Sequence, residues 1–191
     1  MRKGIKTKKK IAEAFKNLMI EKSFEDIRVQ DITNLCNLTR LTFYYHYQDK
    51  YDLLNKIFYM EIIEPVRGNI DLNTWSDMLM KSLKSMRRSK KYYIRAMSIR
   101  SEEYKKNLFD IAKMIMHETI IKISESEFVN PSDINFLSGF FAYGLSGMIH
   151  EWCINGMKEE PSWLVAESVH ILEDMRRFAV VRYFTKDKDK K

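Results

Sequence analysis

The chain is poor in residues that break or staple a backbone. It holds 6 glycines and 3 prolines in 191 residues. Turns that need a left-handed or locked φ are therefore few. That argues against a fold of many short strands and tight hairpins, and it suits long helices. Only 2 cysteines are present, too few for a disulfide framework. Cys36 and Cys153 fall on apolar helical faces and are expected to be buried free thiols. No run of about 18 uncharged apolar residues occurs, so no membrane span is expected. The opening MRKGIKTKKK is basic but lacks the apolar stretch that follows in a secretory signal. A cytoplasmic location is the expectation.

Motifs of catalysis are missing too. There is no Ser/His/Asp or Cys/His arrangement, no glycine loop that cradles phosphate, and no carboxylate pair at a recognisable spacing. His150 and Glu151 are adjacent and point different ways on a helix. His170 and Glu173 lie one turn apart, but two ligands do not make a metal site. The chain is thus not expected to be an enzyme or to hold a metal or cofactor; a helical enzyme is the remote alternative.

What the chain does have is apolar content of 45%, enough for a packed core, and an uneven charge. Residues 1–50 hold 11 Lys and Arg against 6 Asp and Glu, a net +5 of the overall +7. Six of the positive charges fall in the first ten residues. A basic segment of this kind is what phosphate binding requires. A solvated chain end is the plain alternative, and both hold if the segment orders on DNA.

Next to that basic segment lies VQDITNLCNLTRLTFYYHYQDKYDLL, residues 29–54. Val29, Ile32, Leu35 and Cys36 mark one face of a short helix. Asn37 tolerates the left-handed conformation of a tight inter-helix turn. Thr39 is a suitable N-cap for a second helix, residues 39–47. This is a helix-turn-helix pattern, a supporting helix followed by one that presents polar and aromatic side chains.

The block resembles the DNA-binding motif of the tetracycline-repressor (TetR) family. The resemblance rests on Asp31-Ile32, on Thr42-Phe43-Tyr44-Tyr45-His46-Tyr47, and on Asp49-Lys50-Tyr51-Asp52-Leu53-Leu54. It covers about the first third of the chain. Two positions depart from the family pattern: Asn37 stands where glycine is usual, and Leu41 where a small residue is usual. FYYHYQDKYDLLNKIFYMEI also resembles, more weakly, a branch that includes the dihydroxyacetone-kinase operon activator. The resemblance implies an all-α chain of about nine helices. An N-terminal three-helix DNA-binding domain would span residues 1–64, with its motif at about 28–47. A helical dimerisation and ligand-binding domain would span 65–191.

Site residues follow from the motif. Arg40 and Thr42 open the second helix on its exposed face and can reach base edges; Arg40 suits a bidentate guanine contact. Leu41 puts a bulky group at a DNA-facing position. Tyr44 and Tyr45 are spaced so that one faces DNA, and the resemblance implies Tyr44. Thr39, Tyr47 and Lys50 suit phosphates, with Gln30 a further candidate. His46 either touches a phosphate or caps the helix end. Phe43 is expected in the core.

The remaining pattern is helical. A first helix is expected from about Thr7, with Ile11, Ala14, Phe15, Leu18 and Met19 as its stripe. Another spans residues 50–66, ended by Pro65 and Gly68-Asn69, and reads as a rigid rod between the two domains. Thr74-x-x-Asp77 suggests a capping box, and Ser89-Lys90-Lys91 a turn. Ser101 should cap a helix over residues 101–125. Asn130-Pro131 and Glu160-Pro161 open the last two helices, and Gly156 stops the first of them. The closing KDKDKK reads as a frayed tail. The helix after Pro131 is apolar over several faces, with small residues at Gly139, Ala142, Gly144, Ser146 and Gly147. With the helix after Pro161, whose apolar set includes Met175, Phe178 and Ala179, it is similar to the family's dimer-forming pair.

The resemblance implies an inducer pocket among the middle helices, with Trp75, Met78, Met97, Phe109, Met114, Phe140 and Tyr143 as candidate lining. The expected function is a ligand-responsive regulator, most often a repressor in this family. It would bind an inverted-repeat operator in double-stranded DNA as a homodimer, with no membrane partner. An activator, or a regulator acting with a protein partner, is the alternative.

Overall fold

The computed structural model describes the backbone of residues 2–66, 72–123 and 131–186, with side chains at 4–65, 74–122 and 131–174. Among these residues nine α-helices follow one another and no strand occurs. They are α1 Arg2–Glu21, α2 Val29–Leu35, α3 Arg40–His46, α4 Lys50–Phe58, α5 Leu72–Arg88, α6 Lys90–Met97, α7 Glu102–Ile123, α8 Pro131–Ile154 and α9 Pro161–Lys186. No described helix is long and apolar enough to cross a membrane. Gly68-Asn69, Asn130, residues 187–191 of the KDKDKK tail and the side chains of Met175, Phe178 and Ala179 lie outside the described residues.

The first helix begins at Arg2 rather than near Thr7. Lysine-rich sequence is good helix former, and Gly4 alone costs too little to stop it. The basic segment is therefore the opening turns of α1, not a separate arm. Further along α1, Ile11, Ala14, Phe15, Leu18 and Met19 are all buried. With Phe24, Ile27, Ile32 and Phe43 they form the core under α2 and α3.

Local chemistry sets each junction. The Asp31 carboxylate accepts from the Arg28 amide at 2.9 Å, fixing the start of α2. It also pairs with Lys22 at the end of α1, 3.2 Å away. The Arg28 amide bond, then Lys22, hold the Asp31 pKa below the ordinary carboxylate range. Asn37 adopts φ 53 in the turn, and Thr39 Oγ1 accepts from the Thr42 amide at 3.2 Å to cap α3. Asp49 Oδ1 accepts from the Tyr51 and Asp52 amides, each at 2.8 Å, and caps α4. Asp52 reaches back to the Gln48 amide at 2.9 Å. So the acidic residues of the motif are helix caps.

The helix over residues 50–66 is continuous but not uniform. After α4 comes a π turn, Tyr59–Ile63, then a 3-10 turn, Glu64–Val66. A single rigid α-helical rod is thereby corrected to a rod with a wide turn near its C-terminal end. The expected domain boundary at residue 64 falls in the 3-10 turn, and one contiguous core runs across it from α1 to α9. Packing also links the halves a second way, because α1 lies against α6.

In the C-terminal half α5 is already helical at Leu72, two residues before Thr74. Only Ser89 separates α5 from α6; Lys90 and Lys91 are helical. Ser101 Oγ accepts from the Tyr104 amide at 3.2 Å and caps α7. α8 ends where Gly156 takes φ 84 and Met157 φ 47, and the Met157 amide folds back to the Trp152 carbonyl at 2.7 Å. Along its length α8 packs on α7, while α9 packs on α5.

Candidate functional site: a nucleic-acid interface and an apolar cavity

α3 is amphipathic in an unusual sense, because both faces are aromatic. Phe43 and Tyr47 turn inward and are fully buried. Outward, Leu41 is 82% exposed and Tyr45 84%; Thr39, Arg40 and Tyr44 are exposed beside them. A monomer gains nothing by leaving large apolar groups in water, so such a row is a candidate binding surface. Arg40 and Tyr44 are one turn apart. The guanidinium lies 5.8 Å from the Tyr44 ring centroid, and Arg40 Nη2 donates to the Tyr44 hydroxyl at 3.4 Å. This long, exposed contact orients the guanidinium and leaves donors for a ligand. Thr39 and Thr42 hydroxyls share a hydrogen bond of 2.9 Å. The Tyr45 ring meets His46 edge-on at 4.9 Å. On α2, Gln30 donates to Asn34 Oδ1 at 2.7 Å.

Two expected phosphate contacts are corrected. Tyr47 is 1% exposed, in the core against Phe43. It lies four residues after Phe43, hence on the same helix face. Its hydroxyl is buried with no hydrogen-bond partner, and burial, then the Asp52 charge, push its pKa up to about 12. Lys50 is the second. Its ammonium donates to the carbonyls of Phe24, Glu25 and Ile27 at 2.8, 3.0 and 3.1 Å. All three of its donors are used, closing the loop between α1 and α2. Burial lowers its pKa.

A cation that the sequence did not single out takes a place here. Lys8 of α1 lines an open cleft with Gly4, Ile5, Tyr45 and His46. Burial first, then the Lys8 and Lys56 charges, lower the His46 pKa. The signal in the sequence is the lysine run 8–10, visible as charge but not as a neighbour of α3.

Tyr47 gives a stability prediction. Removing a buried hydroxyl that bonds to nothing relieves a desolvation cost of ~1–3 kcal/mol. Tyr47→Phe is expected to raise stability by ~1 kcal/mol, read as a thermal midpoint raised by about 2–4 °C.

The second feature is a cavity of about 500 Å³ in the C-terminal half. Trp75, Met78, Leu83 and Met86 of α5 form one wall; Phe109, Ala112 and Met116 of α7 and Ile149 of α8 form others. Phe58 of α4 and Ile62 and Ile63 of the π turn close the end nearest the first three helices. Of the candidate lining residues, Trp75, Met78, Met97, Phe109 and Tyr143 are brought together here. The Tyr143 ring stacks on Phe109 at 3.8 Å. Met114 and Phe140 are corrected: both are exposed and line no part of the cavity. Polar lining is sparse and mostly engaged. Ser82 Oγ donates to the Ile62 carbonyl at 3.2 Å. His150 Nε2 lies 3.1 Å from the Met97 carbonyl, so it donates there. Lys105 pairs with Glu102 at 2.9 Å. A cavity with this lining favours an uncharged or weakly polar apolar molecule, since a charge inside would lose its hydration without replacement.

Known proteins are similar to this chain in sequence and in fold. Residues 73–174 match the TetR-type family described as a transcriptional regulator C-terminal region. The HTH-type dhaKLM operon transcriptional activator DhaS of Lactococcus lactis subsp. lactis (strain IL1403) is 34% identical over 93 residues, 49% of this chain and 50% of that one. The chain thus spans about half the length of this curated relative. In fold it is similar to the dihydroxyacetone kinase operon activator DhaS, with TM-score 0.74 and 23% identity over 91% of this chain and 98% of that one. It is also similar to the transcriptional regulator FadR from Bacillus subtilis in complex with stearoyl-CoA. There the TM-score is 0.60 and the identity 14%, over 85% and 96% of the two chains. The match at residues 73–174 takes in more than half of the 191 residues, and the chain belongs to the TetR-type transcriptional regulators.

Proposed function

We propose that the chain binds an inverted-repeat DNA operator as a homodimer and that an apolar small molecule in the cavity controls this binding. The observation that carries the reading is the exposed Arg40–Tyr44 pair on α3. It sits among Thr39, Leu41, Thr42 and Tyr45, on a helix held rigid by a capped turn. Gln30, His46 and Lys8 flank it and suit phosphates. Two copies of α3 must reach successive major grooves, roughly 34–36 Å apart or a multiple of that.

Support for the dimer comes from α8. Phe136 is 70% exposed, Phe140 59% and Tyr143 68%. Gly139, Gly144 and Gly147 have nothing within 4 Å of where a Cβ would sit. Glycine inside a helix costs ~1 kcal/mol against alanine, and among the described residues no close neighbour repays it. A second α8 does. Support for the ligand comes from the cavity itself and from a fold similar to that of FadR from Bacillus subtilis, a regulator in complex with stearoyl-CoA. A repressor is the first reading of the sign. An activator is the second, favoured by the 34% identity to the dhaKLM operon activator, and a reporter gene downstream of a bound site decides between them.

The test is selection of duplexes from a random pool, followed by fluorescence anisotropy at several salt concentrations. An inverted repeat is expected, with log affinity falling against log salt at a slope near −0.9 per phosphate neutralised. Selection of no sequence overturns the reading. A second measurement concerns the basic opening turns of α1. Deleting residues 1–6 removes Arg2, Lys3 and Lys6 and is expected to weaken specific and non-specific duplexes about equally, with a shallower salt slope. An unchanged slope excludes those turns from the interface.

A further inference from the structure

The π turn Tyr59–Ile63 lies between the cavity and the DNA-reading helices, and it is held from both sides. The Glu64 amide bonds to the Tyr59 carbonyl five residues back, which is the π spacing. Such turns hold one residue more than an α-helix and recur at functional sites. On the cavity side Phe58, Ile62 and Ile63 form its lining. On the other side Glu61, in the same turn, faces α1 and α6. Its carboxylate oxygens lie 2.8 and 2.9 Å from Lys16 Nζ on α1. Tyr93 of α6 donates its hydroxyl to Glu61 Oε2 at 2.9 Å. Lys16 also donates to Ser89 Oγ at 3.0 Å and stands 5.1 Å from the centroid of the Tyr92 ring. The backbone of the turn is held as well. Ser85 Oγ donates to the Glu61 carbonyl at 3.3 Å, and Ser82 Oγ to the Ile62 carbonyl at 3.2 Å. Two serines one turn apart on α5 thus bond to successive carbonyls of the π turn.

We propose that this turn is the joint by which cavity occupancy is passed to the DNA-reading helices, with Glu61, Lys16 and Tyr93 as the latch that ties it to α1. The inference rests on the reading that the cavity takes an effector. Its physical basis is adjacency along the chain. Glu61 and Ile62 are neighbours, so anything that displaces Ile62 and Ile63 outward moves the residue that grips Lys16. Reverting a π turn to α geometry removes one residue from the turn and rotates what lies beyond it by about 100°, with a 1.5 Å shift per residue. The two arrangements are discrete, as a switch requires. The latch is partly buried, with Lys16 and Glu61 side chains 18% and 32% exposed. Removing one partner leaves a stranded charge, whereas neutralising both keeps the packing.

The experiment is a double-mutant cycle read by operator affinity, and it needs no identified ligand. Ala112→Phe grows a ring into the cavity and stands in for an occupant; Met78→Trp is the second filler if the first unfolds. Lys16→Met with Glu61→Gln neutralises the latch. Anisotropy is measured for the wild type, the filled chain, the neutralised chain and the combination, on the selected duplex. Filling is expected to change the wild-type affinity about tenfold, within the usual range of coupling between sites. In the neutralised chain the change should shrink to less than twofold. An equal change in both backgrounds overturns the latch and leaves the regulator reading standing. No change on filling the wild type overturns the joint as well. A wild-type chain that binds no selected duplex overturns the regulator reading itself, and the latch with it.

Discussion

Arg40→Ala should abolish the preference for the selected operator over other DNA while leaving the fold and the dimer intact. The guanidinium is exposed, and its contact with the Tyr44 hydroxyl is long at 3.4 Å. Removing it strands no buried partner, so stability should move by no more than about 0.5 kcal/mol. Binding is another matter. A bidentate guanine contact is worth ~1–3 kcal/mol of discrimination, and a dimer makes it twice. A loss of roughly 2–6 kcal/mol, or about 30- to 2 × 10⁴-fold, is expected on the selected duplex. On scrambled duplex only a charge is lost. Tyr44→Ala should act in the same direction, since it removes both the ring under the guanidinium and an exposed contact of its own. The check is anisotropy on both duplexes. Equal losses on the two make Arg40 a phosphate contact, and no loss removes it from the interface.

How well α3 was legible depends on which rule was applied. Caps follow from single side chains and were readable. Thr39 caps α3, Ser101 caps α7, and Asn37 takes the left-handed turn, all as their chemistry requires. Side-chain direction needs the helical phase, and there the expectations diverged. Tyr47 is four residues from Phe43, so assigning one to the core and the other to phosphate contradicted the period of 3.6. Met114 lies about 160° round the helix from Ala112, which is near the middle of the α7 face that lines the cavity, so it faces away. Phe140 sits one turn from exposed Phe136, with their rings stacked at 6.5 Å. It belongs to that outer row.

Lys50 is a different case. A lysine near a DNA-binding motif reads as a phosphate contact by charge alone. Its role comes from three carbonyls 23 to 26 residues earlier in the chain, a placement that no local pattern encodes. The π turn was also out of reach, because the residues FYMEII carry no glycine or proline to mark it. Its support is tertiary, from Ser82 and Ser85 on α5.

Phe140→Glu is expected to convert the dimer to monomer and to reduce operator affinity by about 10²- to 10⁴-fold, the contribution of linking two half-sites. Among the described residues the ring contacts of Phe140 are with Phe136 and Phe141 of the same helix; Tyr143 stacks on Phe109 of α7 yet stays 68% exposed. Fully burying such a side chain is worth ~1.5–3 kcal/mol. Three of them on each of two subunits give roughly 9–18 kcal/mol, against an association cost of ~4–15 kcal/mol. The balance is narrow. Losing one aromatic per subunit subtracts about 3–6 kcal/mol. Placing two carboxylates near each other in a dry interface subtracts more. Because Phe140 lies outside the cavity and the core, the monomer should melt close to the wild-type temperature at concentrations where the wild type is itself dissociated. Sedimentation equilibrium gives the mass and anisotropy the affinity. If the variant sediments as a dimer and binds its operator normally, the two copies meet on another surface. If it is monomeric yet binds normally, the operator is read one half-site at a time.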